Sequence, residues 1–521
     1  MPDRVHDCLH PLADYLRARL ESLSSLIEFE ENGQPVEPDG FRVKNLHSWA
    51  FEKYNTVFES MGSFSSQCNL KCSFCYEKGN PIDYDQAKLT LLEAQTRLRY
   101  FRKEMQRGLP IFRQRIYKEP LMNQELIPIL KSIRARYPEV EFHLTTNGSL
   151  FTDELLHELV ELFPVNLCVS LNSSDPNGRK ALMKDRRSRR SIDMIAQLKN
   201  FGIPYAGSIV AWPELGHDEL VQTIKFLDEH LARMIRISLP GFSRFYAQSS
   251  PFETQVAWQK ILDIVLPLRE EIETPILVLP SLYHAQGFMP EVAGIIRNSP
   301  AAQAGMKFGD IIVSINGQEA APRTRAKKLL FSGMQSGRIE VEFKRGETTS
   351  SIVLNEIEAG DANYPYRPAG YPPSKAHPMG ITLVDDLDPM WIVDLLEKLS
   401  TAMVKNILLM TSSIVEPLVA SLLNSLPDAD RLLGDRNLFL WVPEHRFWGG
   451  NIILGDLYTC SDYIEGVRDF ERKQTVKPDL LVIPSSFSPN GYTDLTGVSY
   501  SAIEQETGIP VMIAKCTAIT M

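Results

Sequence analysis

Beyond residue 76 the chain alternates two kinds of hydrophobic pattern, and this predicts an α/β fold on a parallel sheet. Residues 85–108, rich in Leu, Ala, Glu, Arg and Gln, read as a helix, and 111–117 as a strand. Leu126, Ile127, Ile129, Leu130 and Ile133 fall on one stripe at the helical period, which predicts a helix over 123–137. Strands over 140–146 and 165–171 end in Asn147-Gly148 and Asn172-Ser173-Ser174, with a helix over 153–162 between them. A helix over 191–200 and strands over 203–212 and 234–239 continue the repeat.

The pattern then changes. Ser299-Pro300 signals a short helix, Gly305 its cap, Asp310 the start of a strand and Asn316-Gly317 a hairpin turn. A Tyr/Pro/Gly-rich stretch over 360–378 reads as a linker. Past it, apolar strands over 406–410 and 480–484 and a helix over 391–402 return to an α/β pattern.

The chemistry is concentrated in Cys68-Asn-Leu-Lys-Cys72-Ser-Phe-Cys75. Three thiolates this close suit three corners of a 4Fe–4S cluster, whereas an electron-carrying cluster of that type takes a fourth. The fourth iron would then be open to a substrate or cofactor. Structural zinc is the alternative, but it takes four ligands, and no histidine lies between His47 and His143. Cys8, Cys168, Cys460 and Cys516 are scattered singly and read as ordinary thiols; Cys168, inside a strand, reads as core.

This motif, with Phe74 before its last cysteine, resembles the signature of the radical S-adenosylmethionine (radical SAM) enzymes. The resemblance implies a partial (βα)6 barrel, a 4Fe–4S cluster on Cys68, Cys72 and Cys75, and SAM at the strand ends. Ligands of such sheets sit beyond the strands' carboxyl ends. Glu119-Pro120-Leu121 resembles the end of the family's Gly-Gly-Glu-Pro motif, whose acid meets the amino group of SAM; Tyr117 and Lys118 stand where the glycines would be. Asn147, Ser170 and Asn172 resemble the next strand-end contacts, and Phe74 would pack by the adenine. A flavodoxin- or ferredoxin-like electron donor is implied as partner.

The 294–318 block resembles a bacterial-type PDZ domain, which implies either capture of a peptide by strand addition or packing within the molecule. Residues 283–289, containing Gly287-Phe288, are where its carboxylate-binding loop is sought. Phe447-Trp448-Gly449-Gly450-Asn451, Gly455-Asp456-Leu457 and Tyr492-Thr493-Asp494 resemble a poorly characterised C-terminal domain that accompanies radical SAM and PDZ modules. In those relatives the PDZ module is expected before the barrel; here it follows. The expected organisation is an N-terminal helical extension (1–58), a radical SAM partial barrel (59–283), a small mainly-β PDZ domain (284–357), a linker (358–378) and a C-terminal α/β domain (379–521).

Composition narrows the partners. The 521 residues are 44% hydrophobic and 23% charged with a net charge of −10, which gives no electrostatic footprint for nucleic acid. No stretch approaches the roughly 20 apolar residues of a membrane span, and the first residues lack a secretion-signal pattern. Seven cysteines, three of them clustered, do not form a disulfide framework. The expected compartment is the cytoplasm. A run from Arg179 to Arg190 carries seven positive charges and reads as a solvated loop, or as a lure for an anionic substrate. The functional expectation is reductive cleavage of SAM to a 5′-deoxyadenosyl radical that abstracts a substrate hydrogen, in an oxidoreductase or transferase acting on a peptide, a protein or a small anion. The rival is an iron–sulfur scaffold that senses redox state or iron and binds partners through the PDZ domain.

Overall fold

The computed structural model describes residues 30–31, 34–35, 64–65, 67–76, 78–81, 89–100, 111–113, 118–246, 251–280, 288–358, 363–371, 377–384, 389–425, 429–484 and 493–514. The expected N-terminal helical extension lies outside these, apart from an antiparallel pairing of Glu30–Glu31 with Gln34–Pro35.

Six parallel strands form the first sheet, in sequential order: β1 (Ile111–Arg113), β2 (Glu141–Thr146), β3 (Val165–Ser170), β4 (Tyr205–Val210), β5 (Met234–Ser238) and β6 (Ile276–Leu279). Parallel neighbours need long crossovers, and helices supply them: α1 (Leu91–Tyr100), α2 (Leu126–Arg136), α3 (Asp153–Glu161), α4 (Pro176–Met183), α5 (Ser188–Gln197), α6 (His217–Glu229) and α7 (Thr254–Glu271). The stripe expected on α2 is buried in full. Strand β6, only four residues between Pro275 and Pro280, escapes a periodicity reading, as does the break between α4 and α5.

Alternation along the strands separates two faces. Leu167 and Val169 of β3, Ile209 of β4 and Ile235 and Ile237 of β5 pack in one core with α2, α3, α5, α6 and α7. A Cβ on Gly207 would lie 2.4 Å from Leu227 of α6, so that face is filled by helix. The opposite face carries the half-buried Cys168, Ser170, Ser208, Arg236 and Ser238. Cys168 therefore stands on the polar inner face, not in the helix-packed core; Arg236 Nη1 lies 3.6 Å from its Sγ.

The PDZ body contains β7 (Gly294–Ile295), α8 (Pro300–Gln303), β8 (Ile311–Ile315), β9 (Gln318–Glu319), α9 (Arg323–Met334), β10 (Arg338–Arg345) and β11 (Thr348–Asn355). Its antiparallel sheet runs β9-β8-β10-β11. Ser299 caps α8 as expected, its hydroxyl accepting from Ala302 N, and Asn316-Gly317 turns the β8–β9 hairpin with both φ positive. Strand β12 (Ile381–Thr382) pairs antiparallel with β7, and Met379, Ile381 and Leu383 join the PDZ core. Residues 379–383 thus pack with the PDZ body, on the far side of the stretch read as a linker. Within that stretch, residues 363–371 are themselves packed: Tyr366 is fully buried, Tyr364 Oη donates to Ile203 O (3.2 Å), and Tyr371 meets Phe163 edge to face. Residues 363–371 therefore strap the amino ends of β3 and β4.

The C-terminal unit is a parallel sheet in the order β14 (Asn437–Trp441), β13 (Asn406–Met410), β15 (Leu480–Pro484), β16 (Val511–Ala514). Ile407 and Leu409 of β13 pack in one core with α10 (Met390–Ser400) and α11 (Glu416–Ser425); Leu408 and Met410 pack in another with α12 (Cys460–Gln474) and α13 (Ser501–Thr507). Helices on both faces of a parallel sheet explain its continuous apolar strands. Among the described residues no helix is long and apolar enough to cross a membrane.

Candidate active site

The loop carrying the three cysteines lies by the carboxyl ends of β2 and β3. Two consecutive turns shape it, with Cys75 N donating to Cys72 O (3.3 Å) and Lys78 N to Cys75 O (3.0 Å). Ser73 N donates to Leu182 O of α4 (2.7 Å), and Asn69 Nδ2 to Ser149 Oγ (2.7 Å). Asn69 Oδ1 accepts from Asn147 Nδ2 (3.0 Å), which also lies 3.8 Å from Cys68 Sγ. Cys68 is exposed; Cys72 and Cys75 are half-buried. Burial, then the charges of Cys75 and Cys68, push the Cys72 thiol up to about 12.

Glu119 sits at the base of this loop, 3% exposed. Its carboxylate accepts from Thr146 Oγ1 (2.6 Å), Asn147 N (2.7 Å) and Leu121 N (3.2 Å), and Glu119 N donates to Gln67 O (3.0 Å). Burial raises its pKa to about 7 despite these three donors, which favour the charged form.

Asn147 and Asn172 are buried, at 8% and 1% exposure. Asn147 Oδ1 accepts from Ser149 N (2.9 Å) and Ser149 Oγ (2.6 Å). Asn172, with φ 61°, accepts from Val210 N (2.7 Å) and points its amide nitrogen at Met183 Sδ (3.6 Å), so it ties the end of β3 to β4 and α4. Asparagine is one of the few residues that hold this left-handed conformation readily. Ser170 ends β3 on the inner face, and Phe74 packs partly buried against the barrel core. Cys68, Glu119, Asn147, Ser170 and Asn172 therefore gather at one end of the sheet.

The residue that joins them was hidden in the basic run. Arg179 is fully buried on α4, whereas Lys180, Lys184, Arg186, Arg187, Arg189 and Arg190 are exposed. Its Nη2 donates to Asn147 O (2.6 Å), its Nη1 to Ser170 O and Leu171 O (both 3.0 Å), and its Nε to Asp185 Oδ2 (2.9 Å). One guanidinium thus fixes the ends of β2 and β3 and is neutralised by a buried acid. The sequence signal was the lone Asp185 inside a run of cations.

The donor set fits a 4Fe–4S cluster in kind and number, with three thiols on one eight-residue loop beside a polar, part-buried surface. Among the described residues no three His, Cys, Asp or Glu side chains are drawn together as a metal-holding group, the three thiols included. The charges of Cys75 and Cys68 add to burial in disfavouring the Cys72 thiolate, an effect that positive charge on bound iron would offset.

Comparison with known proteins agrees with this reading of the fold. The radical SAM superfamily model matches residues 63–227, and a PDZ domain model matches 291–345. No curated protein matches the chain. Among solved structures, SuiB of Streptococcus suis bound to its precursor peptide SuiA is similar at 16% identity, covering 51% of this chain and 60% of that one, with a TM-score of 0.34. Methylornithine synthase (PylB) is similar at 12% identity over 50% of this chain and 78% of its own, TM-score 0.29. The FeFe-hydrogenase maturase HydG from Carboxydothermus hydrogenoformans is similar at 12% over 55% and 71%, TM-score 0.32. The chain spans about 60% of the length of the SuiB structure it matches. Residues 63–227 therefore carry a radical SAM domain. A PDZ domain follows it, at 291–345.

Proposed function

We propose that the protein is a radical SAM enzyme in which Cys68, Cys72 and Cys75 hold a 4Fe–4S cluster, with Phe74, Glu119, Asn147, Ser170 and Asn172 around SAM. The observation that carries this reading is the buried junction of Glu119 and Asn147 against Cys68, with Arg179 fixing the strand ends. When bound, the cluster and SAM supply the one-electron chemistry that yields a 5′-deoxyadenosyl radical able to take a hydrogen from unactivated carbon. The chain's own groups bind and orient. A carboxylate has about four acceptor positions, and Glu119 uses three, leaving capacity for the ammonium of SAM. Asn147 and Asn172 act by holding the strand ends in place.

The inner face beyond Ser170 is the proposed substrate surface. Ser170, Ser208 and Arg236 stand in register on adjacent strands, so a hydroxyl-rich row ends in a cation suited to an anionic group. A peptide or protein substrate is favoured by the PDZ domain, where an extended chain would add to the edge of β12. An electron donor of flavodoxin or ferredoxin type completes the set. A buried acid with spare acceptor capacity beside three thiols supports the enzyme over a redox- or iron-sensing scaffold.

The test is anaerobic. Cluster-loaded protein with dithionite and SAM should release 5′-deoxyadenosine, detected by mass spectrometry, and Cys72→Ala should lose both the cluster spectrum and the product. An intact 4Fe–4S spectrum in Cys72→Ala would refute the ligand assignment.

A further inference from the structure

The segment that leaves β5 runs over the cysteine loop and under the C-terminal domain, and both approach its backbone through a glycine. Gly79, just past the cysteines, has φ 76°, and a Cβ there would lie 2.1 Å from Phe245 O. Gly450 of the C-terminal domain has φ 65°, and a Cβ there would lie 2.0 Å from Phe242 O. Neither position has room for a side chain, so residues 242–245 are gripped from two sides.

The other contacts agree. On the cysteine side, Tyr246 Oη donates to Ser73 O (2.8 Å), between Cys72 and Cys75, and Lys78 Nζ stands 4.5 Å over the Tyr246 ring. On the C-terminal side, Asn451 pairs with Phe242 through both backbone and side chain: its N donates to Phe242 O (3.1 Å) and its Oδ1 accepts from Phe242 N (2.8 Å). Its Nδ2 donates to Pro240 O (2.9 Å) and Thr254 Oγ1 (3.3 Å). Arg244 N donates to Trp448 O (2.7 Å), and Phe245 packs against the rings of Phe447 and Trp448. Phe447 to Asn451 is the run that sequence singled out in the C-terminal domain without giving it a role.

We propose that this run is a clamp: the C-terminal domain sets the position of the cysteine loop through residues 240–246, with Asn451 as its positioning residue. A loop held only by its own turns can sample many arrangements, and a site gains precision from rigid support behind it. The clamp makes the C-terminal domain part of the SAM-binding machinery rather than an appended module. The inference rests on the radical SAM reading for its chemical consequence, but not for the mechanical link.

Two readouts separate the two. Hydrogen exchange of the full-length protein reads the link, and Asn451→Leu, which keeps the volume and loses the side-chain hydrogen bonds, should speed exchange at least tenfold in peptides covering 67–80 and 240–246. Exchange in β2–β4 and β13–β15 should stay unchanged. Electron paramagnetic resonance of the reduced cluster reads the chemistry: the variant should load iron as wild type does, yet need at least tenfold more SAM for the SAM-induced change in its spectrum. Asn451→Asp, which retains the acceptor for Phe242 N and loses the two donors, should fall between and serves if the leucine variant does not fold. Unchanged exchange at 67–80 in a folded variant would overturn the clamp, whatever the wild-type enzyme does. Faster exchange with no SAM effect on the wild-type spectrum would keep the clamp and refute the radical SAM reading. Equal SAM response in variant and wild type would overturn the positioning role.

Discussion

Glu119 carries a clear pH signature. In the folded chain it stays neutral up to about pH 7, whereas the ordinary glutamate value is 4.5. Its contribution to stability is therefore full below about pH 4.5 and is lost as pH rises through 7. Glu119→Gln should stabilise the unliganded protein at pH 8 by on the order of 2 kcal/mol and not at pH 4, measured by chemical denaturation. The same variant should bind SAM more weakly at pH 8, where the ionised acid would pair with the ammonium. Arg179 is the opposite case, a buried cation whose loss strands Asp185 and three carbonyls. Arg179→Met should cost about 3–5 kcal/mol, and a cost under 1 kcal/mol would show that the strand ends hold themselves. Glu119 could be singled out as a candidate because a Glu-Pro stood one βα unit past the cysteines. Arg179 was not, because direction, inward or outward, is invisible in a run of like charges.

At the scale of elements, the βα repeat was readable on α2, whose apolar stripe is regular, but the reading passed over β6, α4 and the longer α6 and α7. Strand β6 has four residues, and α4 is polar along much of its length because it presents Arg179 inward. Helix α4 is held at its start by Asp175, whose carboxylate accepts from Gly178 N (2.7 Å), with Pro176 in the first turn. Asp175→Ala should cost roughly 1 kcal/mol in global stability. Because Leu182 and Met183 of α4 back the cysteine loop, the same substitution should also lower iron retention on dilution; retention equal to wild type would show that α4 does not support the loop. Strand β12 illustrates a different limit: two residues that complete the PDZ core lie far along the chain from its recognisable motif, beyond a stretch whose composition says linker.

Over the whole molecule, two later segments serve the barrel at opposite ends. The strap over 363–371 closes the amino ends of the strands, and the run from Phe447 to Asn451 braces the carboxyl end. Pro, Tyr and Gly in the strap give the composition of a linker, yet Tyr364 and Tyr371 anchor it to the barrel, one through its hydroxyl on Ile203 O and the other through its ring on Phe163. Tyr371→Ala, which removes the ring packed on Phe163, should cost on the order of 1–3 kcal/mol in the unfolding of the barrel; a change confined to the PDZ domain would place the strap differently. The modular motifs announce themselves in the sequence because each is local. The contacts that join the modules do not, because their partners are one to two hundred residues apart.

The central claim is that three thiolates leave one iron of the cluster open to SAM. Electron–nuclear double resonance on the reduced, cluster-loaded protein, with SAM labelled by 15N at its amino group, tests it most directly. The expected result is a 15N coupling that appears with SAM, reflecting direct contact between the amine and the cluster. A fully loaded 4Fe–4S cluster with SAM bound and no such coupling would contradict it.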